Sequence, residues 1–219
     1  MQTHDTDQLF LQIRTAHRLL AAYYQRLLPT IEQIAKGLEL DYCLWQPKDF
    51  ARPGHRSTNQ FDRWHWDLLP ALSTYYVFGH FEHSNKVIVG EYLVDFLVNS
   101  DTGVTKTNSH GEPDALSLMT SVENAESTLT INVYAPYQAM TGNWANGVWD
   151  GCAKANISES PNPQLDSKKA VVSNGFTIPL TDLFNDNAVE CLIERTQTFI
   201  GAAVDKAKSL VEENQQENS

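Results

Sequence analysis

At 219 residues the chain can bury roughly 70% of the surface its unfolded form exposes, so a core without disulfide or metal staples is within reach. Hydrophobic residues at 42%, aromatics at 10% and charged residues at 20% exclude a disordered or fibrous chain, and three scattered cysteines, Cys43, Cys152 and Cys191, with no C-x-x-C pair exclude a disulfide scaffold. The net charge of −11 is uneven, because residues 1–66 hold eight Lys/Arg against seven Asp/Glu while the remainder holds eight against twenty.

In chain order, apolar residues at 10, 13, 20, 24, 27, 31, 34 and 38, with His17 in the gap, trace a helical stripe of alternating three and four spacing. Flanking Ala16, Ala21, Tyr23, Leu28 and Ala35 make the apolar face wider than a two-helix seam, which predicts a helix facing the core, with His17 buried in it. Pro29 followed by Thr30-Ile31-Glu32-Gln33 predicts a break and a capped restart, and Gly37 a stop. Residues 38–45 alternate as a strand, and Pro47, Pro53 and Gly54 end regular structure. Ser57-Thr58-Asn59 suits the cap of a short helix closed by Pro70.

Two long strands over 74–81 and 87–98 form a hairpin through His83-Ser84-Asn85-Lys86, and a further strand covers 128–135. Residues 138–166, rich in Gly, Asn and Pro, read as a long loop anchored by Trp144 and Trp149. Val171 to Ile178 reads as a tight hairpin around Asn174-Gly175. Val189, Leu192, Phe199, Ile200, Ala203, Ala207 and Leu210 mark a second amphipathic helix capped by Asp186-Asn187. Strands grouped between terminal helices predict an α+β fold: an antiparallel meander sheet of about five to six strands covered by the N-terminal and C-terminal helices. One domain is expected over 1–211, with 212–219 a disordered polar tail.

Chemistry-bearing residues fall into three groups. Lys48, Phe50, Arg52, His55, Arg56, Phe61, Arg63, Trp64 and Trp66 interleave cations with rings, as surfaces that stack bases or neutralise carboxylates and phosphates do. Arg52, Arg56, Arg63, Trp64 and Trp66 are the partner-binding candidates. His80, Glu82, His83 and Glu91 supply imidazole and carboxylate at a density suited to a divalent metal, with Asp95 on the partner strand. His80 and His83 converge only if their strand ends near Phe81, since side chains alternate faces. Asp62, His65 and Asp67, beside Trp64 and Trp66, could orient a histidine as a general base, yet no nucleophile elbow accompanies them. Phosphate-loop, dinucleotide, H-E-x-x-H and G-x-S-x-G motifs are absent.

These features lead to a non-catalytic binding or regulatory protein that needs no cofactor and contacts an acidic protein surface, a nucleotide or a single-stranded nucleic acid through the Arg/Trp-rich segment. The alternative is a metal-dependent hydrolase or nuclease using the His/carboxylate group, with His65 as a further ligand, around a divalent metal. The N-terminus lacks a basic region followed by an apolar stretch, and no run approaches the ~20 apolar residues of a membrane span. A cytoplasmic protein without membrane association is the expectation.

Overall fold

The computed structural model describes residues 3–49, 72–104, 118–153 and 155–217. The fold is α+β, with an antiparallel six-stranded sheet flanked by two long helices. Helix α1 (Thr3–Gly37) leads into β1 (Asp41–Pro47) and β2 (Ser73–His80). The short β3 (Lys86–Val87) precedes β4 (Tyr92–Asn99) and β5 (Thr128–Pro136). Then follow β6 (Met140–Thr141), β7 (Gln164–Asp166), β8 (Val171–Pro179) and helix α2 (Ala188–Glu217). The main sheet runs β1-β2-β4-β5-β8-β7, and β3 pairs with β6 in a separate ribbon.

Both faces of the central strands are covered, which is why Leu93 to Phe96 are buried without interruption. On one face Val94, Phe96, Val98, Leu129, Ile131, Val133 and Phe176 meet Leu27, Ile31 and Ile34 of α1 and Phe199, Ala203 and Ala207 of α2. On the other, Val77, Leu93, Tyr134 and Val171 meet Trp144 and Val148 from the connection between β5 and β8. That connection was expected as a loop; it contains β6, β7 and a π-helical turn at Ala145–Trp149. Its anchoring by tryptophan holds: Trp144 is buried, stacks on Phe81 at 4.9 Å and donates its indole N–H to the carbonyls of His83 and Lys86, both at 3.1 Å.

Three local expectations need correction. α1 does not break at Pro29. Pro29 and Gln25 both lie on the exposed face, so water takes the carbonyl that proline leaves unpaired, and Thr30 Oγ1 bonds back to Arg26 O at 2.8 Å instead of capping a restart. α1 does end at Gly37, as expected, and is closed by a two-bond C-terminal cap, Glu39 N to Lys36 O and Leu40 N to Ala35 O, both 3.0 Å, with Glu39 at φ 56 in the left-handed position that glycine favours. The long strand expected from Val87 is interrupted at Gly90, φ 100, so β4 begins only at Tyr92, although β2 and β4 pair as the hairpin requires. Asn174-Gly175 is not a turn. It lies mid-strand in β8, where the Gly175 N–H bonds Asn156 O at 2.9 Å and its carbonyl accepts from Ser158 N at 3.0 Å.

A fourth correction concerns which part of α1 faces the core. Only its C-terminal part does, from Leu27 onward, with Tyr23 bonded to Ser100 at 3.1 Å at the boundary. Every residue from 7 to 22 is exposed, His17 included. At the other end, α2 continues through Glu212 to Glu217. No helix among the described residues is long and apolar enough to cross a membrane.

Candidate functional site

The sheet face opposite the helices carries one charged group that the packing does not require. Asp95 on β4 sits in register between Val77 of β2 and Asn132 of β5, and Asn132 in turn faces Gly175 of β8. The carboxylate is fully buried. Its Oδ1 accepts from Asn132 Nδ2 at 2.7 Å and its Oδ2 from the Trp149 indole N–H at 2.7 Å, with the Tyr134 hydroxyl as a third donor. Gly175 makes the arrangement fit: a Cβ there would stand 2.6 Å from Asn132 Oδ1 and 2.7 Å from the Ile131 carbonyl. The local sequence contributes to this cluster in two ways: Leu-Val-Asp-Phe-Leu in β4 sets Asp95 inside an apolar run, and the alternation Thr-Ile-Asn-Val-Tyr in β5 sets Thr130, Asn132 and Tyr134 on the same face as Asp95.

Burial pushes the Asp95 carboxyl up to about 6, against the opposing pull of the hydrogen bonds from Trp149, Asn132 and Tyr134. The neighbouring phenols respond to burial first and then to this carboxylate, Tyr75 rising to about 12 and Tyr134 also upward. Tyr75 meets the Trp149 ring edge-on at 5.4 Å, so the cluster is walled by rings as well as bonded.

Beside this cluster opens a groove of about 180 Å³. It is lined by Tyr75 of β2, Leu97 of β4 and Thr130, Asn132 and Tyr134 of β5, together with Lys48, which follows β1, and Ala155 and Ile157, the latter bridged to Gly175 of β8. Thr130 is already bonded to Thr177 at 2.8 Å, whereas the Lys48 ammonium has a loose contact at 3.9 Å with Asp49. A groove with one cation, two phenols and an amide can hold a small anionic or planar group by charge, stacking and hydrogen bonds. A second, more apolar recess of about 250 Å³ lies between Cys43, Phe81 and Trp144. Burial pushes the Cys43 thiol up to about 11, which disfavours the thiolate a nucleophile needs.

Arg52, Arg56, Arg63, Trp64 and Trp66 lie outside the described residues, as do the Asp62, His65 and Asp67 group and the short helix expected before Pro70. The two ends of that stretch are fixed, however. Lys48 N donates to Ser73 O at 2.8 Å and Ser100 N to Leu72 O at 2.8 Å, so the chain leaves and rejoins the sheet at one corner, where Lys48 lines the groove.

His80, Glu82, His83 and Glu91 occupy the far end of β2. His80 Nδ1 lies 3.2 Å from Glu39 O and its ring stacks on Tyr92 at 5.1 Å. Glu91 Oε1 accepts the Glu82 backbone N–H at 3.0 Å, and the His83 carbonyl is taken by Trp144. β2 does end at His80, as convergence of the two histidines would need, but among the described residues no group of three or more His, Cys, Asp or Glu gathers around a common point suited to a metal. Glu91 and Asp95 are likewise separated, one at this turn and the other inside the sheet.

Comparison with known proteins adds one finding. A family model described as PM0109 matches residues 3–205. The chain belongs to that family. The match spans α1, every strand and α2 as far as Asp205, so the Asp95 cluster and the groove lie within the PM0109 region. Comparison with curated proteins and with solved structures finds no match.

Sequence reasoning named Asp95 only as a neighbour of the metal candidates and passed over Asn132, Tyr134 and Tyr75. The available signal was Asp95, a charged residue inside the apolar run from Tyr92 to Val98; Asn132 carried none, because Leu129, Ile131 and Val133 alternate with Thr130, Asn132 and Tyr134 and so place it on the face that reads as polar.

Proposed function

We propose that this chain is a non-catalytic binding or regulatory protein of a reducing, cytoplasmic compartment, and that it contacts an anionic or aromatic partner at the corner of the sheet where Lys48 borders the groove. The observation that carries the reading is the pair of bonds, Lys48 to Ser73 and Leu72 to Ser100, that brings both ends of the Arg/Trp-rich stretch to that groove. In this reading Arg52, Arg56 and Arg63, from the stretch between those two ends, act on a ligand group that Lys48, Tyr75 and Tyr134 hold. Arginine forks on carboxylate or phosphate, with Trp64 or Trp66 as an anchor, would supply specificity. Asp95 has both oxygens engaged and no exposure, so its part is to fix the orientation of Asn132 and Tyr134 at the groove. The three free cysteines agree with a reducing compartment.

The test is anisotropy titration of a labelled oligothymidylate and of a labelled poly-glutamate peptide, with the wild type and with R52A/R56A/R63A. Binding to one probe that weakens by at least about tenfold in the variant, with an unchanged melting temperature, supports the reading, since three lost charge-assisted contacts are worth that much or more. Equal binding by both proteins, or none by either, sinks it. The His/carboxylate alternative has no comparable support, because among the described residues no three His, Cys, Asp or Glu gather where they could hold a metal.

A further inference from the structure

The N-terminal arm of α1 is an apolar helix on which no described residue packs to bury its face. Residues 7 to 22 are all exposed, among them Phe10 at 53%, Leu19 at 65%, Leu20 at 45% and Ile13 at 40%. At 1.5 Å per residue the arm extends about 24 Å. A free helix of this length is marginal in water, so something must cover it for it to persist. Its stripe of Phe10, Ile13, His17 and Leu20 continues the three-four spacing of Leu27, Ile31 and Ile34, which are buried against the sheet. The same seam therefore serves the core at one end and stands open at the other.

The charges beside that seam indicate what covers it. With Phe10 and Ile13 as the two inward positions of a heptad, Asp7 and Arg14 occupy the same flanking position one heptad apart. No ion pair among the described residues engages either of them. We infer that the arm pairs antiparallel with the same arm of a second copy of this chain. In the register that sets Phe10 against Ile13 of the partner subunit, Asp7 faces Arg14 of the partner subunit and Arg14 faces Asp7 of the partner subunit. On the opposite flank the small Ala16 faces the larger Leu9 of the partner subunit. Parallel pairing would set Arg14 against Leu9 and match no charges.

Sedimentation equilibrium of the full chain over a concentration series tests this, with a concentration-dependent monomer–dimer equilibrium as the expected result. D7R or R14D alone should raise the dimer dissociation constant roughly tenfold, because two attractive contacts become two repulsive ones. D7R/R14D should return it to the wild-type value, and an equimolar mixture of the two single variants should form a mixed dimer. I13E should leave a monomer. Circular dichroism melts of monomeric I13E that retain the cooperative transition would show that the body is intact. A wild-type monomer at every concentration overturns the inference, as does a dimer indifferent to I13E or a double variant no tighter than its parents. An arm that instead binds another protein or a lipid surface would appear as that monomer.

Discussion

Asp95 is a carboxyl held away from water with both oxygens occupied, and its pH behaviour follows from that. Its folded value of about 6 stands above the ordinary 3.8, so the folded chain holds this proton more tightly than the unfolded chain does. The stability it contributes is complete below the ordinary carboxyl value and is lost as the pH rises through about 6. Urea unfolding of wild type and D95N between about pH 4 and about pH 7 should show the wild type losing on the order of 3 kcal/mol relative to the variant. A difference that stays constant over that range would mean the carboxyl is ionised throughout. Tyr134 and Tyr75, whose phenols are pushed upward first by burial, stay neutral over the same range and do not blur the measurement.

Among the elements, α1 shows how far local rules extend. Proline in a helix interior removes one bond and crowds the preceding turn, a cost of about 3 kcal/mol in general. Here the helix passes through Pro29 because the orphaned carbonyl faces solvent, while Leu27 and Ile31 on either side are locked into the core. P29A should therefore raise the free energy of unfolding by about 1–3 kcal/mol, read from thermal melts. A loss instead would show that Pro29 is what seats Leu27 and Ile31. β8 makes the opposite point. Asn-Gly is a strong turn signal in isolation, yet Asn174 is buried with its Nδ2 on Phe199 O at 3.2 Å, and Gly175 is there for the close approach of Asn132.

For the whole molecule, the two apolar clusters share β2, β4, β5 and β8 as a common wall. Losing one face would expose the other side of the same strands, so both layers should unfold together. In a W45F/W64F/W66F background, fluorescence reports Trp144 and Trp149 on the face opposite the helices, while far-ultraviolet dichroism is dominated by α1 and α2. Coincident urea transitions are expected from the two signals. An earlier fluorescence transition would show that the segment from β6 to β7 detaches from a sheet that survives without it.

Periodicity in the sequence determined the terminal helices, the β2–β4 pairing, β5 and the α+β class, because a stripe at helical spacing or an alternating run has few places to bury itself. Composition determined the uneven charge and the thiol-poor core. The tertiary structure alone decided which part of the α1 stripe is covered, since a helix pattern is identical whether it faces a sheet or projects beyond it. It alone placed Trp149, Asn132 and Tyr134 around Asp95, residues 37 to 54 positions away in the chain. Side chains that meet across strands leave no mark on local spacing, so a polar residue in an apolar run announces a buried partner without naming it.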